Sequence, residues 1–436
     1  MRNDRDVRHD GGVHALLDDL AARGLVQDTT DAAELAAQLA AGPTTLYCGF
    51  DPTADSLHVG NLIGLLVLRR FQLAGHRPLA LAGGATGMIG DPSGRSDERN
   101  LLDEETLAHN LACIKEQMGR FLDFEPGPTQ ASLVDNRSWT GDLTLLEFLR
   151  TVGKHVTVNQ MVAKESVRSR MEGDSGISYT EFSYMLLQAN DFSWLFEHEG
   201  CVLQVGGSDQ WGNITAGIDL IRRQHAGRAH GLTFPLMTKA DGSKFGKSAG
   251  GAIWLGAHRT TPYEFFQYWI QTDDRDVERY LLQLTLLGVD DVSAAVRAHA
   301  TAPEQRAAQR LLAREITRLV HGDAGLAVAE EATDVVFGRR EEQPSPGALG
   351  SLVNAIPTGH LPAARFDAGV GVVDLLVDGG IASSKGDARR TLGQGGVTVN
   401  GRRADAEDTL RRADLWHGRF ILVRKGKRNV HLVVVD

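Results

Sequence analysis

The fold is decided by residues 47–61, which read YCGFDPTADSLHVGN. Residues 44–50 are apolar and β-prone, and the Asp-Pro-Thr at 51–53 ends the strand that they predict. An apolar run at helical spacing follows over 57–73, so the stretch predicts a strand that turns directly into a helix. Such a junction directs backbone N–H groups and the positive end of the helix dipole at one point, which suits an anion.

The start of this predicted helix carries polar groups and glycines. His58 and Asn61 lie three residues apart, so we expect both side chains to project from one face of the first turn. Gly60 and Gly64 predict room for a flat group against the helix. A βα unit with an incidental histidine explains the fragment equally well, so its meaning depends on the rest of the chain.

A second segment, 238–251, carries lysines among four glycines. Lys239, Lys244 and Lys247 are joined there by Ser248. Lysines in a glycine-rich loop suit a polyphosphate, and the alternative is an ordinary exposed loop.

Two short motifs carry a family resemblance. HVGN at 58–61 resembles the "HIGH" signature of class I aminoacyl-tRNA synthetases, and KFGKS at 244–248 resembles the "KMSKS" signature. YCGFD at 47–51 is similar to the bacterial tyrosyl-tRNA synthetases in particular, and the resemblance covers nearly the whole chain. It implies that ATP activates L-tyrosine to tyrosyl-adenylate with release of pyrophosphate, and that tyrosyl then passes to the 3′-terminal ribose of tRNA(Tyr).

Composition sets limits on class and location. At 436 residues the chain is too long for one core, and 42% hydrophobic with 23% charged residues is typical of a soluble globular protein. No segment has the length of a membrane span and the N-terminus lacks an apolar signal region, so we expect a cytoplasmic protein without membrane contact. Three widely spaced cysteines predict neither a disulfide nor a protein metal site, and Mg²⁺ is expected only with ATP.

Charge is distributed unevenly. The net charge is −10, yet residues from 368 onward hold 12 Lys and Arg against eight Asp and Glu. A basic module on an acidic body is expected when one module handles RNA and another does the chemistry.

The order of elements predicts the architecture. Strand, helix and strand over 44–82, followed by the glycine-rich turn 83–94, indicate an α/β doubly wound parallel sheet of Rossmann-like type, with its site at the carboxyl ends of the strands. We predict a catalytic domain at 1–232 with a helical insertion near 115–185, a signature loop and α-helical domain at 233–337, a linker at 338–369 and an RNA-binding domain at 370–436. The resemblance implies that the insertion forms a homodimer.

The final module combines a basic helix, an Asn-Gly hairpin at 400–401 and two strands. It resembles the small alpha-L RNA-binding fold that bacterial tyrosyl enzymes carry at this end. Its predicted RNA-binding residues, which would grip phosphates and RNA shape, are Lys385, Arg389, Arg390, Arg402 and Arg403.

The segment 179–198 predicts a helix that is apolar almost all round. Tyr184, Gln188 and Asp191 interrupt it on one stripe. A carboxylate there must be paired or must face a polar ligand, so the stripe is either a structural network or the wall of a pocket. After the next strand, Gly207 and Asp209 suit a ribose, although this signal is weak alone.

The resemblance implies roles for particular residues. Tyr47 and Asp191 would bind the substrate phenol. The ammonium and carboxylate of tyrosine would be held by Asp91, Tyr184, Gln188 and Gln210. The residues implied at ATP are Gly49, Asp51, Thr53, His58, Gly60, Asn61, Gly207, Asp209, Lys244, Lys247 and Ser248. Asn61 replaces the second histidine of the first signature and cannot be a cation, and Phe245-Gly246 replaces the middle of the second.

Other functions fit less well. A tryptophan-specific enzyme has no use for a phenol-directed pair such as Tyr47 with Asp191. An RNA-binding protein on an inactive scaffold has no physical reason to keep both lysines of the second motif. A different adenylyl or cytidylyl transferase is disfavoured by the basic C-terminal module.

Overall fold

The computed structural model describes residues 14–93, 102–172, 176–242, 245–248, 251–340, 342–426 and 429–436. The chain divides into two compact units, Met1–Gly256 with Thr272–Leu312, and Ala257–Gln271 with Ala313–Asp436. The helices predicted as one α-helical domain at 233–337 are therefore divided between these units. In the described part of the chain, no helix combines the length and hydropathy that a membrane crossing requires.

The elements alternate between strands and helices over the first half of the chain. The helices are α1 (His14–Ala22), α2 (Ala32–Ala40), α3 (Val59–Leu73), α4 (Glu104–Met118), α5 (Arg137–Thr140), α6 (Leu145–Thr151), α7 (Val158–Val162), α8 (Glu165–Glu172), α9 (Tyr179–Glu199), α10 (Trp211–His225), α11 (Pro262–Ile270), α12 (Asp274–Leu284), α13 (Val289–Ala300), α14 (Ala307–Val336), α15 (Pro346–Leu352), α16 (Arg365–Ala368), α17 (Val372–Asp378) and α18 (Lys385–Gly393). The strands are β1 (Asp28–Thr29), β2 (Thr45–Phe50), β3 (Arg77–Ala82), β4 (Ser132–Asp135), β5 (Cys201–Gly207), β6 (His230–Phe234), β7 (Lys247–Ser248), β8 (Gly251–Ala252), β9 (Thr358–Leu361), β10 (Val370–Gly371), β11 (Val397–Val399), β12 (Arg402–Arg403), β13 (Thr409–Leu410), β14 (Phe420–Lys425) and β15 (Asn429–Val435).

The first unit is organised by one sheet. Among the described residues its strand order is β1-β6-β5-β2-β3-β4. All neighbours pair in parallel except β1, a short edge strand that pairs antiparallel with β6. The order reverses between β2 and β5, so the carboxyl ends of these two strands flank the switch point where such sheets bind ligands. The predicted doubly wound fold is confirmed.

Helix α3 packs tightly on this sheet because one face is wholly apolar. Leu62, Leu65 and Leu66 are fully buried. The expectation for Gly64 is wrong: a Cβ there would lie 3.3 Å from the Cys48 sulfur and 3.4 Å from the Phe50 ring. Gly64 therefore serves close helix-to-sheet packing and leaves no room for a ligand.

The second unit contains a five-stranded sheet in its described part, with the order β12-β11-β14-β15-β9. Strand β15 is apolar from residue 432 to residue 435, where both of its faces are buried. Val433 and Val435 pack on the face covered by α17, whereas Leu432 and Val434 pack toward α14 and α15. The predicted hairpin is present, with positive φ at Asn400 (49°) and Gly401 (79°).

One strand of this sheet was not predicted. Strand β9 lies within 338–369, where the sequence predicted a linker, and it pairs in parallel with β15. Prolines flank this strand, and its sequence, TGHL at 358–361, lacks the alternation of apolar and polar residues that is typical of a strand. Gly359 is required there, since a Cβ would lie 2.6 Å from the carbonyl oxygen of Gly379.

Candidate active site

The first motif begins helix α3. His58 has extended backbone angles and is the N-cap of α3, so it precedes the first turn instead of lying within it as expected. Its Nδ1 accepts a hydrogen bond from the Gly60 N–H at 3.0 Å, and the Asn61 side-chain oxygen accepts from the His58 N–H at 3.1 Å. A Cβ at Gly60 would lie 2.8 Å from the His58 ring, so this glycine makes space for the imidazole. The two polar side chains thus cap the helix and stay at its anion-binding end.

The second motif converges on the first. The Val59 N–H donates to the Ile253 carbonyl at 3.0 Å, and the Ile253 N–H donates to the Gly246 carbonyl at 2.9 Å. Gly246 has φ 73°, and a Cβ there would lie 2.8 Å from Val59 Cγ2. Lys247 and Ser248 form β7, which pairs with β8. Lys244 lies outside the described residues. The glycine that departs from the "KMSKS" pattern is therefore the point at which the two motifs touch.

A buried phenol stands at the middle of the sheet. Tyr47, on β2, is 1% exposed, and among the described residues its hydroxyl has no hydrogen-bond partner. Burial, and next the charge of Asp191, raise the pKa of Tyr47 well above its usual value. The Phe192 ring lies 5.3 Å from the Tyr47 ring. An orphaned buried hydroxyl is costly unless a ligand completes its hydrogen bonding.

Asp191 faces the same region from helix α9. It is 2% exposed, and burial raises its pKa to about 7 although two hydrogen bonds act in the opposite direction. The donors are the Asn136 amide at 2.9 Å and the Trp139 indole N–H at 2.8 Å. Sequence reasoning missed both donors, because they lie on and just before the four-residue helix α5 and belong to no periodic pattern.

A network of hydrogen bonds continues from Asn136 to Asp51, the residue that follows β2. The Asn136 amide also donates to the Thr86 hydroxyl at 3.0 Å, and Thr86 donates to Asp51 at 2.9 Å. Tyr184 donates to the other Asp51 oxygen at 3.0 Å. Burial, and next Asp51, raise the pKa of Tyr184 well above its usual value. Asp51, expected beside ATP, and Tyr184, expected at the ammonium, are thus bonded to each other in this structure.

The other residues that the sequence predicted at tyrosine form a second chain of hydrogen bonds. The Gln210 amide donates to Asp91 at 2.7 Å. Asn213 donates to the side-chain oxygens of both Gln210 (3.2 Å) and Gln188 (3.0 Å). The structure therefore brings Asp91, Gln188 and Gln210 together, and Asn213 is a further member that the sequence did not indicate.

The residues expected at the nucleotide lie at the carboxyl ends of β2 and β5. Gly49 and Thr53 are exposed there. A Cβ at Gly207 would lie 2.6 Å from an Asp209 carboxylate oxygen, so the glycine allows the carboxylate to fold back over the strand end. Burial, and next the charge of Asp91, raise the pKa of Asp209. In the described part of the chain, no group of three or more His, Cys, Asp or Glu is placed to hold a metal ion.

Gln204 is a second orphan beside Tyr47. It pairs with Tyr47 in the β2–β5 register and is 2% exposed. Its side-chain oxygen has no hydrogen-bond partner among the described residues. A buried glutamine in a strand carries no recognisable signal in a single sequence, so it was not predicted.

The predicted RNA-binding residues of the second unit are all exposed. Lys385 pairs with Asp374 at 2.7 Å and Arg390 with Asp387 at 2.8 Å. Within the described residues, Arg389, Arg402 and Arg403 form no ion pair. The five cations therefore divide into two that are already paired and three that are not.

A parallel sheet with two motifs converging at its switch point defines a class I aminoacyl-tRNA synthetase. Residues 39–338 match the family model for class I tRNA synthetases (W and Y), and residues 353–433 match the tyrosine–tRNA ligase SYY-like C-terminal domain. The chain belongs to the tyrosine–tRNA ligase family of that class.

Two relatives match the sequence of this chain over nearly its full length, and a solved structure matches most of its fold. The tyrosine–tRNA ligase of Opitutus terrae is 54% identical over 422 residues, which cover 96% of this chain and 99% of the relative. That of Mycobacterium tuberculosis is 49% identical over 418 residues, covering 95% and 97%. Among solved structures, a C-terminally truncated Aspergillus nidulans mitochondrial tyrosyl-tRNA synthetase aligns with a TM-score of 0.65 and 30% identity, covering 72% of this chain and 92% of that one.

Proposed function

We propose that this tyrosine–tRNA ligase recognises its amino acid through Tyr47 and Asp191. The observation that carries the proposal is the Tyr47 hydroxyl, which is buried and has no partner among the described residues. A substrate phenol between the two side chains accepts from Tyr47 and donates to the Asp191 carboxylate. Phenylalanine lacks that hydroxyl and leaves both groups buried and unsatisfied, an effect for which tyrosyl-tRNA synthetases are the standard example.

The ammonium and carboxylate groups of the substrate are proposed to replace hydrogen bonds that protein side chains make with one another in the ligand-free protein. The Gln210 amide occupies Asp91 at 2.7 Å, where a substrate ammonium would fit. The ammonium takes over Asp91, with Gln188 beside it, and Gln210 then turns to the substrate carboxylate. Tyr184 contributes by holding Asp51 at 3.0 Å and shaping the wall of the site.

ATP is proposed to lie across the switch point of the sheet. The α3 N-terminus with Thr53, His58 and Asn61 faces the phosphates, and Gly49, Gly60 and Asp51 border them. Gly207 and Asp209 take the ribose, and Lys244, Lys247 and Ser248 act on pyrophosphate as charge develops. All of these groups act by position and charge. The tyrosine carboxylate itself attacks the α-phosphate, so no side-chain nucleophile is needed. Mg²⁺ is proposed to accompany ATP as its counter-ion.

The second unit is proposed to bind tRNA(Tyr) through residues 370–436. Arg389, Arg402 and Arg403 are the strongest candidates, because a cation without a protein partner meets a phosphate without first breaking an ion pair. The double substitution Arg402→Gln with Arg403→Gln is expected to weaken tRNA binding. It is also expected to reduce the slope of the logarithm of the binding constant against the logarithm of salt concentration by about one per arginine. Arg412→Gln, which removes a cation already paired with Asp367, is the matched control. An unchanged salt slope in the double variant contradicts this role.

A homodimer in the cytoplasm completes the proposal. Five apolar side chains between 145 and 179 are strongly exposed: Leu145, Leu146, Val158, Met171 and Tyr179. Exposed apolar surface of this kind marks an interaction site. Sedimentation is expected to give a dimer for the unmodified chain and a monomer for Leu146→Asp, whereas Leu73→Asp, at a leucine exposed elsewhere, stays dimeric. A monomeric unmodified chain contradicts the proposal.

The experiment that tests the amino-acid site is equilibrium binding of L-tyrosine and L-phenylalanine. Asp191→Asn is expected to weaken tyrosine binding by about tenfold or more, because a charged hydrogen bond is lost. Binding of phenylalanine, which makes no such bond, is expected to change less than tyrosine binding. Equal loss for both amino acids contradicts recognition of the phenol.

A further inference from the structure

Helix α12 holds the chain segment that leads into the second motif. The Tyr280 hydroxyl donates to the Thr238 carbonyl at 3.2 Å, and the Arg279 guanidinium donates to the same carbonyl. Two residues further along the chain, the Ala240 N–H donates to an Asp276 carboxylate oxygen at 2.9 Å. All three side chains come from successive turns on one face of α12.

The same face also contacts the motif itself. The Phe245 ring stands edge-on to the Tyr280 ring, with 5.2 Å between centroids. Arg279 lies over the Tyr280 ring at 5.3 Å and pairs with Asp276 at 2.5 Å. Tyr280 therefore contacts the segment before the motif and, through Phe245, the motif directly.

The other end of α12 is fixed to helix α3. Arg70 of α3 is 5% exposed and donates to the carbonyls of Leu282 (3.2 Å) and Thr285. Arg23 donates to the Leu282 carbonyl at 3.1 Å. These carbonyls close the C-terminal end of α12 and lack partners within the helix. Because His58 caps α3, α12 connects the helix of the first motif to the segment that leads into the second.

Asp276 has two partners, Arg279 of its own helix and the Ala240 N–H of the loop. The side chain is 3% exposed, and burying a carboxylate costs free energy. A loop N–H such as that of Ala240 is satisfied by water when the loop is open to solvent. The oxygen of Asp276 that accepts from Ala240 therefore fixes the position of the loop, while the other oxygen pairs with Arg279 within the helix.

We propose that Asp276 and Tyr280 are positioning residues for adenylate formation. They hold Thr238, Ala240 and Phe245 in one place, and so set where Lys247 meets the phosphates. The inference rests on the proposed role of Lys247. A cation stabilises developing charge only at close range, so a small displacement of its chain segment reduces the rate of the step without changing the tyrosine pocket.

The test is the single-turnover rate of tyrosyl-adenylate formation together with the equilibrium Kd for tyrosine. Asp276→Ala removes the acceptor for Ala240 and is expected to slow the step by about tenfold, with the Kd for tyrosine unchanged. Asp276→Asn keeps an acceptor oxygen and is expected to restore most of the rate. Tyr280→Phe keeps the ring on Phe245 and loses only the bond to Thr238, so a smaller loss of rate is expected.

A double-mutant cycle separates this inference from the proposed function. In a Lys247→Ala background, Asp276→Ala is expected to add less than about twofold, because the group that it positions is already gone. Full additivity, an equal loss of tyrosine affinity, or an unchanged rate in Asp276→Ala and Tyr280→Phe overturns the inference alone. If Lys247→Ala itself leaves the rate unchanged, the proposed role of Lys247 fails and the inference fails with it.

Discussion

Replacing Tyr47 by phenylalanine removes one oxygen atom from the centre of the proposed amino-acid site. In the free protein that oxygen is buried, and it has no hydrogen-bond partner among the described residues. An unsatisfied buried polar group costs about 1–3 kcal/mol, so the substitution is expected to stabilise the ligand-free protein by an amount of order 1 kcal/mol. In a unit of this size, the corresponding rise in Tm is about 2–4 °C.

The same substitution is expected to weaken tyrosine binding. One neutral hydrogen bond contributes about 0.5–1.5 kcal/mol, which corresponds to about a two- to thirteenfold increase in Kd. Phenylalanine makes no bond to Tyr47, so its Kd is expected to stay constant or fall, and discrimination between the two amino acids narrows by the same factor. A gain in stability with a loss of affinity is a combination that a simple packing defect does not produce.

The assays are thermal unfolding without ligand and titration with each amino acid. Thr409→Val, which removes a hydroxyl from an exposed side chain of β13, far in sequence from the amino-acid site and from the proposed dimer surface, is the control and is expected to change neither quantity. A lower Tm for Tyr47→Phe would show that the hydroxyl is bonded in the free protein. An unchanged Kd for tyrosine would show that the substrate phenol lies elsewhere.

Four further results are expected. Because the pKa of Asp191 is raised to about 7, its proton must leave before it can accept the substrate phenol, so the Kd for tyrosine is expected to rise as pH falls through 7, by up to about tenfold per pH unit. The free energy of unfolding is expected to depend on pH in the direction opposite to that of a paired carboxylate, because the folded state holds the Asp191 proton more tightly than the unfolded chain does. The stability that this group contributes is present at low pH and is lost as pH rises from about 4 to 7. Trp139→Phe removes a hydrogen bond that lowers the Asp191 pKa and is expected to move the midpoint of the tyrosine-binding profile to higher pH; an unmoved midpoint contradicts the assignment. Gly246→Ala adds a Cβ 2.8 Å from Val59 at a positive φ and is expected to slow adenylate formation by more than tenfold. The control, Gly242→Ala, is also at a positive φ but its Cβ meets nothing within 4 Å, so it is expected to cost about 1–2 kcal/mol of local backbone strain with a much smaller loss of rate. Equal rates for the two variants contradict convergence of the motifs.

The elements that could be predicted from the sequence are those with strong periodicity. Helix α9 and strand β2 lie within a few residues of their predicted bounds, because their apolar patterns match the burial that the fold provides. Strand β9 could not be predicted, since its pairing is supplied by β15, more than 60 residues away, and its own sequence carries no strand pattern.

The same division applies to the candidate site. The structure brings together residues that the sequence singles out, such as Val59 of the first motif with Gly246 of the second, and Asp91 with Gln210. It also shows groups that no motif marks: Asn136 and Trp139 reach Asp191 across 55 and 52 residues of sequence. Such contacts depend on how the chain returns to the end of β4, which a pattern of neighbouring residues does not encode.

Truncation shows why the fold matters for experimental design. The sequence places the start of the RNA-binding domain at 370, yet removing residues 370–436 would take β14 and β15 from a sheet that includes β9. It would also expose Leu349 and Leu352, which pack on that sheet. Point variants such as those at Arg402 and Arg403 therefore test RNA binding more cleanly than deletion.

The central claim is that two distant motifs meet on one nucleotide beside a pocket that reads a phenol. The most direct test is ATP–pyrophosphate exchange measured separately with each of the standard amino acids, with Lys247→Ala as the inactive control. Exchange with tyrosine alone, lost in the variant, is the expected result. Exchange driven by tryptophan, exchange that needs no amino acid, or full activity of Lys247→Ala would contradict the claim.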